Sequence, residues 1–120
     1  MALTLEQALT QGTVAHKAGS FERAGEFYQL VVQSDPLHPD ANHNLGVLAV
    51  EKGQTQDALG FLRIALQANP NEAQYWTSYI DALIRMGATA DAQNMLNQAR
   101  EKGAKGEAFD QLQERLVTSN

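Results

Sequence analysis

Three histidines, His16, His38 and His43, are the side chains of this sequence best suited to proton transfer or metal binding. Their spacing serves neither. His38 and His43 flank Pro39, whereas a helical metal pair needs His-x₃-His, which places both imidazoles on one face a turn apart. His38, just before Pro39, is expected in a loop, and the three histidines read as solvent-exposed or groove residues. Glu22 and Glu26 do stand one turn apart, but no third partner accompanies them, and a solvated helix face accounts for both. The chain has no cysteine, which excludes disulfides, thiolate metal sites and thiol nucleophiles and suits a reducing, cytoplasmic setting. Gly-rich phosphate loops, Gly-x-Ser-x-Gly elbows and His-Glu-x₂-His are absent. The residues therefore predict no catalytic site, no metal and no cofactor.

Charge narrows the partners. The net charge is −5, with Lys and Arg scattered over 120 residues. A nucleic-acid binder needs a basic stripe, and none is present. The one local cluster, Arg100, Lys102 and Lys105, precedes Gly103 and Gly106 or lies between them, where cations complement the negative end of a helix dipole. No apolar run approaches the length of a membrane span, and Met1–Glu6 lacks the basic start and long apolar stretch of a secretory signal. Neither nucleic acid nor membrane is an expected partner.

The organisation that positions these residues is a repeat. Gly19, Gly53 and Gly87 recur every 34 residues, as do Ala24, Ala58 and Ala92. Gly12 and Gly46, Pro36 and Pro70, and Phe27, Phe61 and Met95 share the same frame. It divides one domain, 1–120, into units 5–38, 39–72 and 73–106, with 107–120 left over. Within each unit, apolar residues recur at helical spacing, break at the glycine, and resume to the proline. Seven helices are predicted, near 4–18, 21–34, 39–52, 55–68, 73–86, 89–102 and 107–117. No alternating β-branched run suggests a strand. Gly46, Ala58, Leu62, Trp76, Tyr79, Ala92 and Leu96 are expected in the core. Ala108, Phe109, Leu112 and Leu116 form one face of a closing helix that covers the last unit.

The small residues and their spacing resemble the tetratricopeptide repeat, whose pattern is Trp-x₂-Leu-Gly-x₂-Tyr, then Ala-x₃-Phe, then Pro. Leu45-Gly46, Ala58-x₃-Leu62 and Pro70 carry it in the second unit. Trp76-x₂-Tyr79-Ile80-x₂-Leu83 and Ala92-x₃-Leu96 carry it in the third, and Gly12, Ala24-x₃-Tyr28 and Pro36 in the first. Gln11, Ala15 and Ala49 depart from it. The resemblance covers 5–106 and implies an all-α, right-handed solenoid of three helix hairpins plus a cap, with Trp76 a packing residue. The stretch His38–Ala49 is also similar to repeats that precede bacterial sugar-transferase-like or sulfotransferase-like domains, which would make this chain the N-terminal adaptor part of a larger bacterial enzyme.

In this family the first helix of each unit lines a concave groove. The resemblance places Glu6, Leu9, Thr10, Thr13 and Lys17 there in the first unit. Asp40, His43, Asn44, Val47 and Glu51 follow in the second, and Gln74, Thr77, Ser78, Asp81 and Arg85 in the third. Rows Thr10–Asn44–Ser78 and Leu9–His43–Thr77 are expected to face a partner, with Asn44 contacting its backbone. Lys17, Glu51 and Arg85, at one repeat position, are expected to form a charge ladder. Some family members clamp a chaperone's C-terminal carboxylate with Lys, Arg and Asn. The matching positions here are Leu9, Thr13, Asn44, Gln74 and Ser78, so only Asn44 remains and that function is not expected. The expected function is a protein- or peptide-binding module, as a monomer or weak homodimer. The alternative is a structural module that packs on a neighbouring domain or on itself.

Overall fold

Why each hairpin turns where it does follows from its glycine. Gly19, Gly53 and Gly87 adopt φ of +81°, +78° and +78°, a region open to glycine at no steric cost. Each donates its N–H to the carbonyl three residues back, and the next residue donates to the carbonyl five back: Ser20 to Ala15, Gln54 to Ala49 and Ala88 to Leu83, at 2.8–2.9 Å. This is the Schellman motif, which satisfies the last carbonyls of the first helix while reversing the chain.

The computed structural model describes residues 2–118; Met1, Ser119 and Asn120 of the 1–120 domain lie outside them. Seven helices run in order: α1 Leu5–Lys17, α2 Phe21–Ser34, α3 Pro39–Glu51, α4 Thr55–Ala68, α5 Ala73–Arg85, α6 Thr89–Glu101 and α7 Glu107–Thr118. Each predicted helix is present to within one residue at either end, and no strand occurs among the described residues. His38 is part of a helix start rather than a plain loop residue. Its Nδ1 accepts the Ala41 N–H at 3.1 Å, and Pro39 fills the first helical position, where a missing N–H costs nothing.

Helices pair as α1/α2, α3/α4 and α5/α6, with α7 against both α5 and α6. Ala24, Ala58 and Ala92 are fully buried where the hairpin partners cross. Gly12 and Gly46 sit at the same crossings. A Cβ on Gly12 would stand 2.5 Å from the Tyr28 ring, and one on Gly46 would stand 2.4 Å from Leu62 Cδ2. Asn42 and Trp76, equivalent in the repeat, do the same work. Each donates a side-chain N–H to the carbonyl of the proline six residues earlier, Asn42 to Pro36 at 3.0 Å and Trp76 to Pro70 at 2.7 Å. The connections between units are thereby pinned from below.

One core expectation, Tyr79, and the place of Ala108 on the covered face of the closing helix need correction. Tyr79 is half-buried, because it packs at the edge of two core clusters and its hydroxyl accepts from exposed Arg63 at 3.4 Å. Ala108 is exposed, while Phe109, Leu112 and Leu116 are buried in the same cluster as Trp76 and Leu96.

The stack is bent. First helices approach one another, α1 to α3 and α3 to α5, whereas α2, α4 and α6 make no such approach among the described residues. A row whose first members touch and whose second members splay curves with the first helices inside. α1, α3 and α5 therefore line the inner face.

Candidate functional site

The inner face divides into two clefts separated by a linked region. Toward the N-terminus, Thr13 and Lys17 of α1 meet Asn44 and Glu51 of α3 around a cleft of about 480 Å³, together with His16, Gly19, Phe21 and Tyr28. Toward the C-terminus, Thr77, Ser78 and Asp81 of α5 face Ala108, Gln111, Leu112 and Arg115 of α7 around one of about 270 Å³. Thr10 and Glu6 open instead onto the outer end of α1, beside Thr4, Gln7 and Gln11.

Between the clefts, α3 and α5 are tied together. The His43 Nε2 and Ser78 Oγ are 2.7 Å apart, and the His43 ring lies tilted against Tyr75 with centroids at 4.9 Å. The Tyr75 hydroxyl donates to Asp40 Oδ1. Burial pushes the His43 pKa below its ordinary value, which keeps the ring neutral and able to accept the Ser78 proton. Burial, reinforced by the bond to Asp40 and its charge, pushes the Tyr75 phenol up, so it remains a donor.

His43 is thus buried, not an open groove residue, and Ser78 is engaged by it. The expected rows are shortened accordingly. Thr13 and Thr77 direct their hydroxyl protons to carbonyls of their own helices, Leu9 and Gln74, at 3.0 Å each. Leu9 is half-buried and packs against the first hairpin's core. Thr10 and Gln74 are exposed, and Asn44 and Val47 are half-buried.

The charge ladder is not formed. Glu51 turns both carboxylate oxygens toward His16 Nε2, at 3.1 Å each, while His16 Nδ1 lies 3.1 Å from the Tyr28 hydroxyl. Arg85 pairs with Asp81 of its own helix at 2.9 Å, and Arg115 of α7 reaches the other Asp81 oxygen at 2.7 Å. Lys17 is exposed. Burial, with the Glu51 charge adding to it, raises the Tyr28 pKa.

The physical reason lies in how side chains project. Among the three first helices, residues one period apart point the same way and align in rows, whereas on the closing helix Arg115 reaches its row-mate Asp81, 34 residues earlier. Contact between neighbouring first helices needs the flank of one against the opposite flank of the next, and one residue rotates a helix by about 100°. His16–Glu51, Asp40–Tyr75 and His43–Ser78 are each separated by 35 residues, the period plus one.

Sequence reasoning missed His16, Tyr75 and Arg115 as members of this face. Tyr75 carried a usable signal, since the equivalent position of the second unit is Ala41 and a large polar aromatic breaks the pattern. Chemically, the face offers short hydroxyl and amide groups, one exposed ammonium at Lys17, and carboxylates already held by neighbours. Among the described residues, no group of three or more His, Asp or Glu side chains could hold a metal ion.

The tetratricopeptide repeat family profile matches residues 15–79. No curated protein sequence matches the chain. Solved structures share its fold. The TPR2B domain of yeast Sti1, in complex with pHsp70, superposes with a TM-score of 0.87 at 18% identity, covering 97% of this chain and 98% of that one. The Yersinia enterocolitica type III secretion chaperone SycD, with a peptide of the translocator YopD, gives 0.80 at 22% identity, covering 99% and 91%. The first TPR of Spaghetti (RPAP3), bound to an HSP90 peptide, gives 0.83 at 15% identity, covering 95% and 91%.

Proposed function

We propose, from the premise that this chain belongs to the tetratricopeptide repeat family, that it is a protein-interaction module holding an extended polypeptide segment on its inner face. The observation that carries this is the N-terminal cleft, where two successive units bring Thr13, Lys17, Asn44 and Glu51 together around one open space. Short polar groups there match the backbone N–H and C=O of an extended chain without demanding a sequence. Asn44 and Val47 supply the centre, and Thr10, Gln74 and Arg85 the margins. The structures of SycD and RPAP3 hold peptides on the same fold.

The inner face gives no reason to select an acidic tail. Lys17 is its one cation outside an ion pair among the described first helices, and a carboxylate clamp needs several. Asp81 lies between two guanidiniums and Asp40 accepts from Tyr75, so neither stands open to attract a strongly basic segment. A largely neutral segment suits the surface. An adaptor part of a larger bacterial enzyme is one setting for such a module.

A random peptide display library panned on the chain supplies the probe. A recovered peptide titrated into isotope-labelled chain should shift the amides of Thr13, Asn44, Val47 and Glu51, and Asn44→Ala should weaken it several-fold. Recovery of no peptide that shifts these inner-face amides, or inner-face binders that bind Asn44→Ala unchanged, would overturn the reading.

A further inference from the structure

Because the second helices splay, the outer face opens between α2 and α4. The opening is a cleft of about 910 Å³. Leu45, Leu48 and Ala49 of α3 form its floor, and Leu30 and Phe61 its apolar walls. Leu30 is 48% exposed, an unusual state for a leucine flanked by other apolar side chains.

The repeat explains the opening. Gly25 lines the α2 wall, and the next unit has Leu59 at that position. Leu59 is half-buried and packs with Tyr79 against the core of the second junction. Tyr79 in turn stands where the first junction has Leu45, a smaller residue. The second junction thus supplies its own leucine and aromatic ring, and the first leaves both out.

The rim carries charge of one predominant sign. Glu26 on α2 and Asp57 on α4 line opposite walls, and neither carboxylate is engaged by a cation among the described residues. Lys52 is the single cation at the margin. From Gly25 to Gln33 the α2 wall runs roughly 12 Å at helical rise, enough for two side chains a turn apart.

We propose that this outer cleft is a second binding site, which takes a cationic amphipathic helical segment of a partner protein. Two large apolar side chains one turn apart occupy the space that Leu59 and Tyr79 fill in the next junction. Flanking Lys or Arg residues meet Glu26 and Asp57. The site is separate from the inner face, so its occupancy does not depend on that surface.

The test uses Gly25→Leu, which copies into the first junction the leucine already tolerated at 59. A Cβ at Gly25 meets only Leu48 Cδ2, at 3.4 Å, so the variant has room to fold. A random peptide display library is panned on the parent chain, with Gly25→Leu as counter-selection. Enriched peptides should carry paired apolar residues three or four apart with Lys or Arg flanks. They should bind Gly25→Leu at least roughly tenfold more weakly. Glu26→Lys/Asp57→Lys should shift preference to Glu-flanked versions of the same peptides. Inner-face binders bind parent and Gly25→Leu alike and are removed by the counter-selection, which keeps the two readings apart. Absence of any peptide that distinguishes parent from Gly25→Leu overturns the proposal, as does enrichment of acidic flanks, or a charge reversal without effect.

Discussion

The His16 imidazole meets the Glu51 carboxylate at 3.1 Å across the gap between α1 and α3, 35 residues along the chain. The pair fastens the first unit to the second at the inner edge. Glu51 is about two-fifths exposed, so water competes for the contact. Glu51→Gln should lower stability by about 0.2–1 kcal/mol. Lys17→Ala should leave it unchanged, because Lys17 takes no part. Denaturant melts of the two variants decide this, and a larger loss from Lys17→Ala would contradict the pairing.

Glycines on helices should separate by surroundings. Gly46→Ala forces a methyl to within 2.4 Å of Leu62, a buried side chain with no room to retreat. It should destabilise by about 1–3 kcal/mol through overpacking. A Cβ at Gly60 meets nothing within 4 Å. Gly60→Ala should stabilise by about 0.5–1 kcal/mol through backbone entropy. Equal effects of the two, read from urea midpoints, would mean that α3 and α4 do not cross closely at Gly46.

His43 should impose a pH dependence. Burial lowers its folded pKa below the unfolded value of about 6.5. Between those values the unfolded chain binds more protons than the folded one. The stabilisation is therefore complete above the unfolded pKa and is lost as pH falls from there through the folded pKa. Melting temperatures should drop from pH 7 toward pH 5, and His43→Gln should flatten that drop. A drop of equal size in the variant would assign it to other groups.

How far the sequence reached is clearest at Gly53 and Glu51. The period of 34 announces Gly53 as a turn, and the turn is there with positive φ. Helix number, helix ends and the small crossing residues were legible because each depends on local spacing or on backbone conformation. Glu51 was misread because the same period places it in a row with Lys17 and Arg85, while contact follows the flanks of the helices. Arg115 stands one period after Asp81 and was missed because the repeat frame ended at 106, whereas His16 and the pairing of Tyr75 with Asp40 were hidden for the same reason as Glu51. Their partners are set by the stacking angle between units, which no single residue type encodes. The outer cleft was equally hidden, although Gly25 opposite Leu59 in the frame is the difference that opens it.

The closing helix should be essential to the last unit. Phe109, Leu112 and Leu116 are buried against the Trp76 and Leu96 cluster. Phe109→Ala should cost about 3–5 kcal/mol. Arg115→Gln, a change in a half-exposed contact to Asp81, should cost far less. Thermal denaturation ranks the two, and the reverse order would mean that α7 is held by charge rather than by packing.

The unfilled space beside Gly25 also sets an order of opening. α2 meets α3 less extensively than α4 meets α5, and the inner edge adds chiefly the His16–Glu51 contact. The first hairpin is therefore held to the second less extensively than the second is held to the third. Amide protons of α1 and α2 should exchange with solvent before those of α4, and a pulling force applied at the N-terminus should detach the first hairpin before the second. A ligand seated between α2 and α4 would act as a clasp on that hairpin, slowing its exchange without touching the rest of the molecule.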